Sequence, residues 1–284
     1  MFTFFEKSQS SGEPILFYRV TYGEGANDFM ALTDAEEDIT IEGVKYQGRQ
    51  AIHCPPITAS GTLDKSSLDI EVPFDSPLTE LFRTEVPDHV VGLRIFRGHY
   101  GDVADGVLSP DNVRQIWGGR ILNFEVDRDY VVTLSCMPLG SGMKRAGLRR
   151  PYCLGCPHVH YGPQCRADRA AFTVSAEVTA AGGNTVTLAE GWAGAFPPGK
   201  FARGVASFAG QFGTVRRTIL RVSGNTLTLA GGVGQLEAGA TLLASLGCNH
   251  TTDDCKDVFD NILNFGGFPW IPTENPTSSK SRFY

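Results

Sequence analysis

The sequence predicts a mainly β protein with short helices, and three observations support this fold class. Glycine (33 residues) and proline (16 residues) are abundant in a chain of 284 residues, which favours short strands joined by turns over long helices. Apolar and polar residues alternate in several stretches, as they do in half-buried strands. A heptapeptide with the character of a turn followed by a strand occurs twice in the C-terminal half, which is typical of a small β-barrel.

Composition and charge limit the expected partners and compartment. Apolar residues make up 42% of the chain and charged residues 20%, as in an ordinary globular protein with room for two modest domains. The net charge of −6 argues against a sequence-specific nucleic-acid partner, because phosphate contacts need Lys and Arg. The N-terminus lacks a secretory signal pattern, and no apolar run is long enough for a membrane span. We therefore expect a reducing cytoplasm, where clustered cysteines are more often metal ligands than disulfides.

Residues 1–148 are predicted to form an N-terminal antiparallel β-domain. Two apolar runs at 15–20 and 39–46 are separated by turn-prone residues. Ser76 followed by Pro77 predicts a capped short helix through Phe82. Four alternating stretches predict further strands, with apolar faces made of Leu68, Ile70 and Val72, of Val91, Leu93 and Ile95, of Leu122, Phe124 and Val126, and of Val132, Leu134 and Cys136.

Two cysteines and one tryptophan of this domain are interpreted as structural residues. Cys54 and Cys136 have no candidate ligand nearby in the sequence, so we expect them to be small buried apolar residues. Trp117 precedes two glycines next to a strand, which predicts a core residue at a bend rather than a binding aromatic.

Residues 171–246 have few charges and much Gly, Ala and Thr, and they predict a small β-barrel inserted into the chain. Six runs within this insert have strand character, namely 172–178, 185–188, 204–208, 218–222, 226–229 and 241–244. The heptapeptide GNTVTLA at 183–189 recurs as GNTLTLA at 224–230. Duplication and convergent hairpin chemistry explain this repeat equally well.

Five of the seven cysteines lie in the two segments that flank the insert, residues 149–170 and 247–284. They are Cys153, Cys156, Cys165, Cys248 and Cys255. Thiolates brought to one point repel one another, so such a group indicates a bound metal or covalent pairing. The spacing favours a metal over disulfides and does not separate zinc from an iron–sulfur cluster. His158, His160 and His250 are interpreted as neighbours of the site rather than ligands, since enough cysteines are present.

A further pattern joins these cysteines to a run near the C-terminus. Its residues are Arg149, Arg150, Tyr152, Cys156, Gly162, Cys165 and Asp168, then Cys248 and Cys255, then NFGGFPWIP at 264–272. With them the sequence resembles the tail hub family of siphophages and gene transfer agents, which is related to tail-tip protein L of phage lambda. The resemblance extends more loosely over the N-terminal β-domain and so covers most of the chain.

This resemblance implies a [4Fe–4S] cluster held by four cysteines with the spacing C-x8-C and C-x6-C. The implied ligands are Cys156, Cys165, Cys248 and Cys255. Cys153 departs from the family pattern, since it is an extra thiol three positions before the first implied ligand, and it is a possible substitute for Cys156. A spare thiol at this place also raises the hypothesis of a redox or iron sensor. A structural zinc is the alternative occupant.

The resemblance also implies a structural role in a virion. The implied protein is a homotrimeric baseplate hub at the tail tip of a phage or gene transfer agent, assembled in the cytoplasm of a bacterial host. Its implied partners are a ring of distal tail protein and the central tail-tip protein that carries fibres or a spike. The alternative is a cytoplasmic iron–sulfur or zinc enzyme. We expect no enzymatic activity, because the sequence has no phosphate-binding glycine loop, no G-x-S-x-G and no H-E-x-x-H motif.

The segment after Cys248 carries the last structural expectations. A helix is predicted to begin at Thr252 or Asp253 and to end at about Leu263. Its buried side would consist of Phe259, Ile262 and Leu263.

Three aromatic residues follow this helix, namely Phe265, Phe268 and Trp270. They are interpreted either as an anchor for a neighbouring subunit or as a cover that keeps water from the metal site. Residues 273–284 are polar and are predicted to be a tail that orders on assembly.

Overall fold

The structure is a computed structural model that describes residues 2–8, 12–23, 25–57, 67–83, 87–127, 130–144, 147, 150–234 and 236–272. It divides into two compact units, one of residues 1–145 with 211–213 and the other of residues 146–210 with 214–284. The predicted tail at 273–284 lies outside the described residues. The three-part domain division given above stays a prediction.

Among the residues that the structure describes, the first unit contains two short α-helices and ten strands. The helices are α1 (Phe2–Glu6) and α2 (Pro77–Arg83). The strands are β1 (Pro14–Thr21), β2 (Phe29–Thr33), β3 (Ile39–Ile41), β4 (Val44–Tyr46), β5 (Leu68–Pro73), β6 (Gly92–His99), β7 (Val103–Ala104), β8 (Val107–Leu108), β9 (Arg114–Val126) and β10 (Val131–Pro138). This described part of the unit also has 3₁₀ turns at Tyr100–Asp102, Pro110–Asn112 and Leu139–Lys144.

Two sheets form the body of this unit. The larger sheet has the order β2-β1-β6-β9-β10-β5, and all its pairs are antiparallel. The smaller sheet has the order β4-β3-β8-β7, with β3 and β8 parallel. Within the larger sheet the predicted alternation places Leu68, Leu93 and Leu134 in the core, so these strand predictions are confirmed.

Strand β9 corrects one prediction about which side chains face the core. The strand exists, but Leu122 is 53% exposed and Val126 is 42% exposed, while Ile121 is buried. The pairing with β10 contains a β-bulge, where Ser135 lies opposite Asn123 and Cys136 lies opposite Ile121. Leu122 is the extra residue of this bulge, so the core face passes from Ile121 before it to Phe124 after it, and Phe124 packs against the core as predicted. Val126 is exposed at the end of the strand.

The structural interpretations of Trp117, Cys54 and Cys136 had different outcomes. Trp117 and Cys136 are buried in the core of the larger sheet, as predicted. Cys54 is only half-buried at the edge of the same core, so the prediction of a buried residue is wrong for this position. It lies in a stretch without strand structure, where the sheet covers only part of its surface.

The second unit contains the predicted barrel. Its strands are β11 (Thr173–Gly182), β12 (Thr185–Leu188), β13 (Val205–Gly210), β14 (Gly213–Ser223), β15 (Thr226–Leu229) and β16 (Thr241–Ser245). They close in the order β11-β12-β15-β14-β13-β16, which confirms a mainly β fold with a small barrel. The barrel core includes Phe201, whose ring packs 4.7 Å from that of Trp192. The other short helices of this unit are Ala170–Phe172, Pro198–Phe201, Asp254–Val258 and Ile262–Asn264.

The two copies of the heptapeptide pair with each other in the barrel. Strands β12 and β15 are antiparallel, with Val186 opposite Leu227. The N–H of Leu188 donates to the Asn225 carbonyl at 2.9 Å, and the N–H of Leu229 donates to the Asn184 carbonyl at 2.8 Å. These reciprocal bonds relate the two repeats by a local two-fold axis. Among the described residues, no helix is long and apolar enough to cross a membrane.

Candidate metal centre

Four cysteines from two distant segments line one cavity in the second unit. The cavity encloses about 340 Å³, with the open space at its mouth included. Its lining consists of Cys156, His158, His160, Cys165, Cys248, His250, Thr251, Cys255, Phe259, Asn261 and Asn264. The four implied ligands are therefore neighbours in space, although 83 positions separate Cys165 from Cys248 along the chain.

Closure of the barrel brings the two segments together. The first barrel strand, β11, pairs with the last one, β16, so that Thr173 lies opposite Ser245. The segment before β11 carries Cys156 and Cys165, and the segment after β16 carries Cys248 and Cys255. Because neighbouring strands lie about 5 Å apart, both segments leave the barrel at the same place.

Direct hydrogen bonds hold the two segments at the cavity. The N–H of Cys156 donates to the His250 carbonyl at 2.8 Å, and Nδ1 of His250 lies 2.9 Å from the Cys156 carbonyl. His250 has a φ of +60°, which turns the chain back toward Cys156. The loop that bears Cys248 is thereby fixed against the loop that bears Cys156.

The glycine pair of the NFGGFPWIP run makes a close backbone contact with the first segment. A Cβ atom at Gly266 would collide with the His158 ring, and one at Gly267 would collide with the backbone of Gly155. Arg150 donates to the Gly266 carbonyl at 2.7 Å. These positions therefore require glycine because the run lies directly on the Cys156 loop.

Three of the four sulfurs lie close to N–H groups. The backbone N–H of Gly266 is 3.3 Å from Sγ of Cys156, and that of His250 is 3.3 Å from Sγ of Cys248. Nδ2 of Asn261 is 3.8 Å from Sγ of Cys165. Such donors stabilise thiolates and are typical partners of metal-bound sulfur.

The acidity of the thiols reflects their burial and mutual proximity. Burial first, and then the nearby cysteines, raise the pKa of Cys255 to about 11. Burial is also the largest cause of the raised pKa of Cys248, which the neighbouring Cys165 and Cys156 raise further. Several thiolates in this cavity would therefore need a compensating positive charge.

The histidines of the cavity have partners of different kinds. Nδ1 of His158 lies 3.1 Å from the Asn264 carbonyl, and Nδ1 of His160 lies 3.9 Å from Sγ of Cys165. Burial lowers the pKa of His160 to about 4, so this ring is neutral at pH 7. Among the described residues, no group of three His, Cys, Asp or Glu is arranged to hold a single metal ion.

Cys153 lies beside the cavity and does not line it. Its thiol donates to the Gly155 carbonyl at 3.1 Å, and its own carbonyl accepts from the N–H of Phe268 at 2.9 Å. The choice between Cys153 and Cys156 as a ligand stays a prediction.

The helix predicted to end at about Leu263 is shorter than expected. A π-helix covers Asp254–Val258, and a separate 3₁₀ turn covers Ile262–Asn264. Asp260 has a φ of +45°, a left-handed conformation that interrupts the helix. Phe259 is buried as predicted, but Ile262 is exposed and Leu263 is 97% exposed, so their predicted burial is wrong.

Sequence reasoning missed two polar residues of this region. Asp254 is buried and accepts hydrogen bonds from Nζ of Lys200 at 2.8 Å and from the N–H of Asn249 at 2.9 Å. Asn261 contacts both Cys165 and Cys255. Neither role has a sequence signal, because each residue has a partner far away along the chain, Lys200 for Asp254 and Cys165 for Asn261.

The aromatic residues of the C-terminal run differ in exposure. Phe265 is half-buried, whereas Phe268 is exposed and Trp270 is 93% exposed. The Phe268 ring packs on Tyr152, with 4.3 Å between centroids. Trp270 therefore does not shield the cavity from water, so its interpretation as a cover for the metal site is wrong.

A sequence-family model matches part of this chain, and a solved structure has a similar fold. A family model described as phage conserved hypothetical protein BR0599 matches residues 199–275, which include Cys248 and Cys255. No curated protein matches this chain.

Among solved structures, a chain described as "Virion of native gene transfer agent (GTA) particle" has a similar fold. The TM-score is 0.82, with 18% sequence identity, over 99% of this chain and 96% of that chain. At this identity the likeness shows that the fold is shared over nearly the whole of both chains.

Proposed function

We propose that this chain is a structural protein of a phage-like particle and forms a homotrimeric hub at the tail tip. The observation that carries the proposal is the fold shared with a virion chain over 99% of the sequence. The match of residues 199–275 to a phage protein family supports the same class. In this proposal the hub contacts a ring of distal tail protein on one side and the central fibre- or spike-carrying protein on the other.

The four cysteines at the cavity are proposed to hold a [4Fe–4S] cluster. The donor set fits this group, since four thiols line one cavity and three of them have N–H groups within 3.8 Å. Cys156, Cys165, Cys248 and Cys255 would be the ligands. When bound, the cluster would supply a positive inorganic core that compensates the thiolate charges.

A structural zinc is the second candidate for the same site. Four sulfurs around one zinc lie about 3.8 Å apart, given a Zn–S bond of about 2.3 Å and tetrahedral geometry. The same four cysteines would be its ligands.

The proposed task of the site is mechanical. Cys165 and Cys248 flank the barrel, so a shared metal group would tie its two ends together. Cross-linking a loop of this length stabilises the folded state by about 4 kcal/mol in the chain-entropy model. A tied barrel suits a subunit that must keep its shape within a closed ring.

Metal analysis tests the site. The full chain is purified without oxygen, and its iron, acid-labile sulfide and zinc are measured together with its visible absorbance. Iron and sulfide in equal amounts, with a brown absorbance, support the cluster. Stoichiometric zinc without sulfide would replace it with a structural zinc.

Localisation tests the hub. Particles that carry an epitope on this chain are labelled with antibody and imaged by electron microscopy. Label at the distal end of the tail supports the proposal, and label on the head or absence from particles would overturn it. The mass of the purified chain in solution tests the trimer separately.

A further inference from the structure

Asn261 connects the two halves of the cysteine site through both its side chain and its backbone. Its side-chain Nδ2 donates to the Cys165 carbonyl at 2.6 Å and lies 3.8 Å from Sγ of the same residue. Its backbone N–H donates to the Cys255 carbonyl at 2.8 Å, and its backbone carbonyl lies 3.2 Å from Sγ of Cys255. It is therefore in contact with one cysteine from each side of the barrel.

The orientation of the Asn261 amide follows from its partners. The Cys165 carbonyl can only accept, so the atom that faces it must be the NH₂ group. The amide oxygen in turn accepts from Nδ2 of Asn264 at 2.6 Å. Both ends of the amide have a defined partner, which holds the side chain in one orientation.

We propose that Asn261 is a positioning residue that sets the distance between Cys165 and Cys255 and donates toward the Cys165 sulfur. The inference rests on the proposed metal site for its main readout. An asparagine suits the position because it supplies an N–H donor without a charge. A carboxylate of the same shape would present an oxygen to the Cys165 carbonyl and sulfur, where it is repelled.

The test compares two substitutions of Asn261 with a matched control in the full chain. Asn261→Ala removes the side-chain contacts, and Asn261→Asp keeps the size while replacing the donor by a charged acceptor. Asn184→Ala is the control, since Asn184 is exposed in a barrel turn. Each protein is reconstituted with iron and sulfide without oxygen, and the rate of iron loss to a chelator is measured.

The expected order of iron loss distinguishes positioning from simple filling of space. Loss of a partner next to a metal ligand weakens metal binding by about 10- to 100-fold, so Asn261→Ala should lose iron about that much faster than the control. Asn261→Asp should be faster still. If Asn261→Asp loses iron as slowly as the unchanged protein while Asn261→Ala loses it faster, the side chain only fills space, and the proposal is wrong. Unchanged rates of iron loss in both variants would also overturn the proposal.

A second readout separates this inference from the metal proposal. If the unchanged protein takes up no iron and sulfide, hydrogen–deuterium exchange of the segment around Cys165 is followed by mass spectrometry in the metal-free chain. Both Asn261 substitutions should then speed exchange of this segment several-fold over Asn184→Ala, because the tie to the Cys165 carbonyl is lost, and equal rates would overturn the inference. If circular dichroism shows that neither variant folds, Asn264→Ala is used instead, because it removes only the bond to the amide oxygen of Asn261. This variant should show a smaller increase in the measured rates than is expected for the Asn261 variants. No increase would overturn the inference.

Discussion

Cys153 and Cys156 are separated by two residues, yet their thiols have different surroundings. Cys156 lines the cavity, whereas the Cys153 thiol donates to a backbone carbonyl beside it. A serine hydroxyl can donate the same bond. We therefore expect Cys153→Ser to keep the iron and sulfide content of the unchanged protein and Cys156→Ser to lose most of it, measured after anaerobic reconstitution. The reverse result would make Cys153 the ligand, and loss in both would revive its role as a sensor thiol.

A buried thiol in the first unit gives a pH prediction. Burial first, and then the charge of Asp69, raise the pKa of Cys136 to about 12 from the ordinary value of 9.0. Because the folded state favours the protonated thiol, its contribution to stability is fully present below pH 9 and is lost as pH rises toward 12. The loss by pH 11 amounts to about 2 to 3 kcal/mol.

Substitution isolates this contribution from other groups that titrate at high pH. In Cys136→Ala the free energy of unfolding should be lower at pH 8, because a cavity forms, but it should fall less between pH 8 and 11 than in the unchanged protein. Urea denaturation at several pH values measures both slopes. Equal slopes would show that the Cys136 thiol does not differ in pKa between the folded and unfolded states.

At the scale of elements, the two barrel repeats should respond alike to substitution. Gly183 and Gly224 have φ values of +59° and +57° at equivalent turns. A side chain in this left-handed region costs about 1 kcal/mol, so Gly183→Ala and Gly224→Ala should each lower the free energy of unfolding of the barrel by about that amount. Gly182→Ala is the control, since Gly182 does not have a positive φ and has open space around it. A loss at only one repeat would contradict their equivalence.

At the scale of the whole molecule, the exposed Trp270 tests the assembly proposal. Trp270 is 93% exposed, so Trp270→Ala should change the free energy of unfolding by less than about 0.5 kcal/mol. If this aromatic anchors a neighbouring subunit, the same variant should be depleted from purified particles, as measured by immunoblot. Leu220→Ala, another exposed apolar residue, is the matched control. Normal incorporation of Trp270→Ala would remove the anchor interpretation.

Much of the fold follows from local pattern alone. Strands such as β5 and β12 have their apolar residues at alternate positions, and the period of two is a direct consequence of strand geometry. Strand β9 marks the limit of this reasoning. Its bulge inserts Leu122 against β10, and a register shift depends on the partner strand rather than on the alternation within β9.

The cysteine site shows the same division. The residue types and their spacing predict a metal-binding group, and closure of the barrel explains how Cys165 and Cys248 become neighbours. The sequence by itself determined the mainly β class, the repeated turn-strand unit and the set of candidate thiols, because these depend on side-chain chemistry and short-range geometry. Only the tertiary structure decided that Cys153 lies outside the cavity, that the helix ends before Leu263 and that Asn261 joins both halves, because each depends on contacts between residues far apart along the chain.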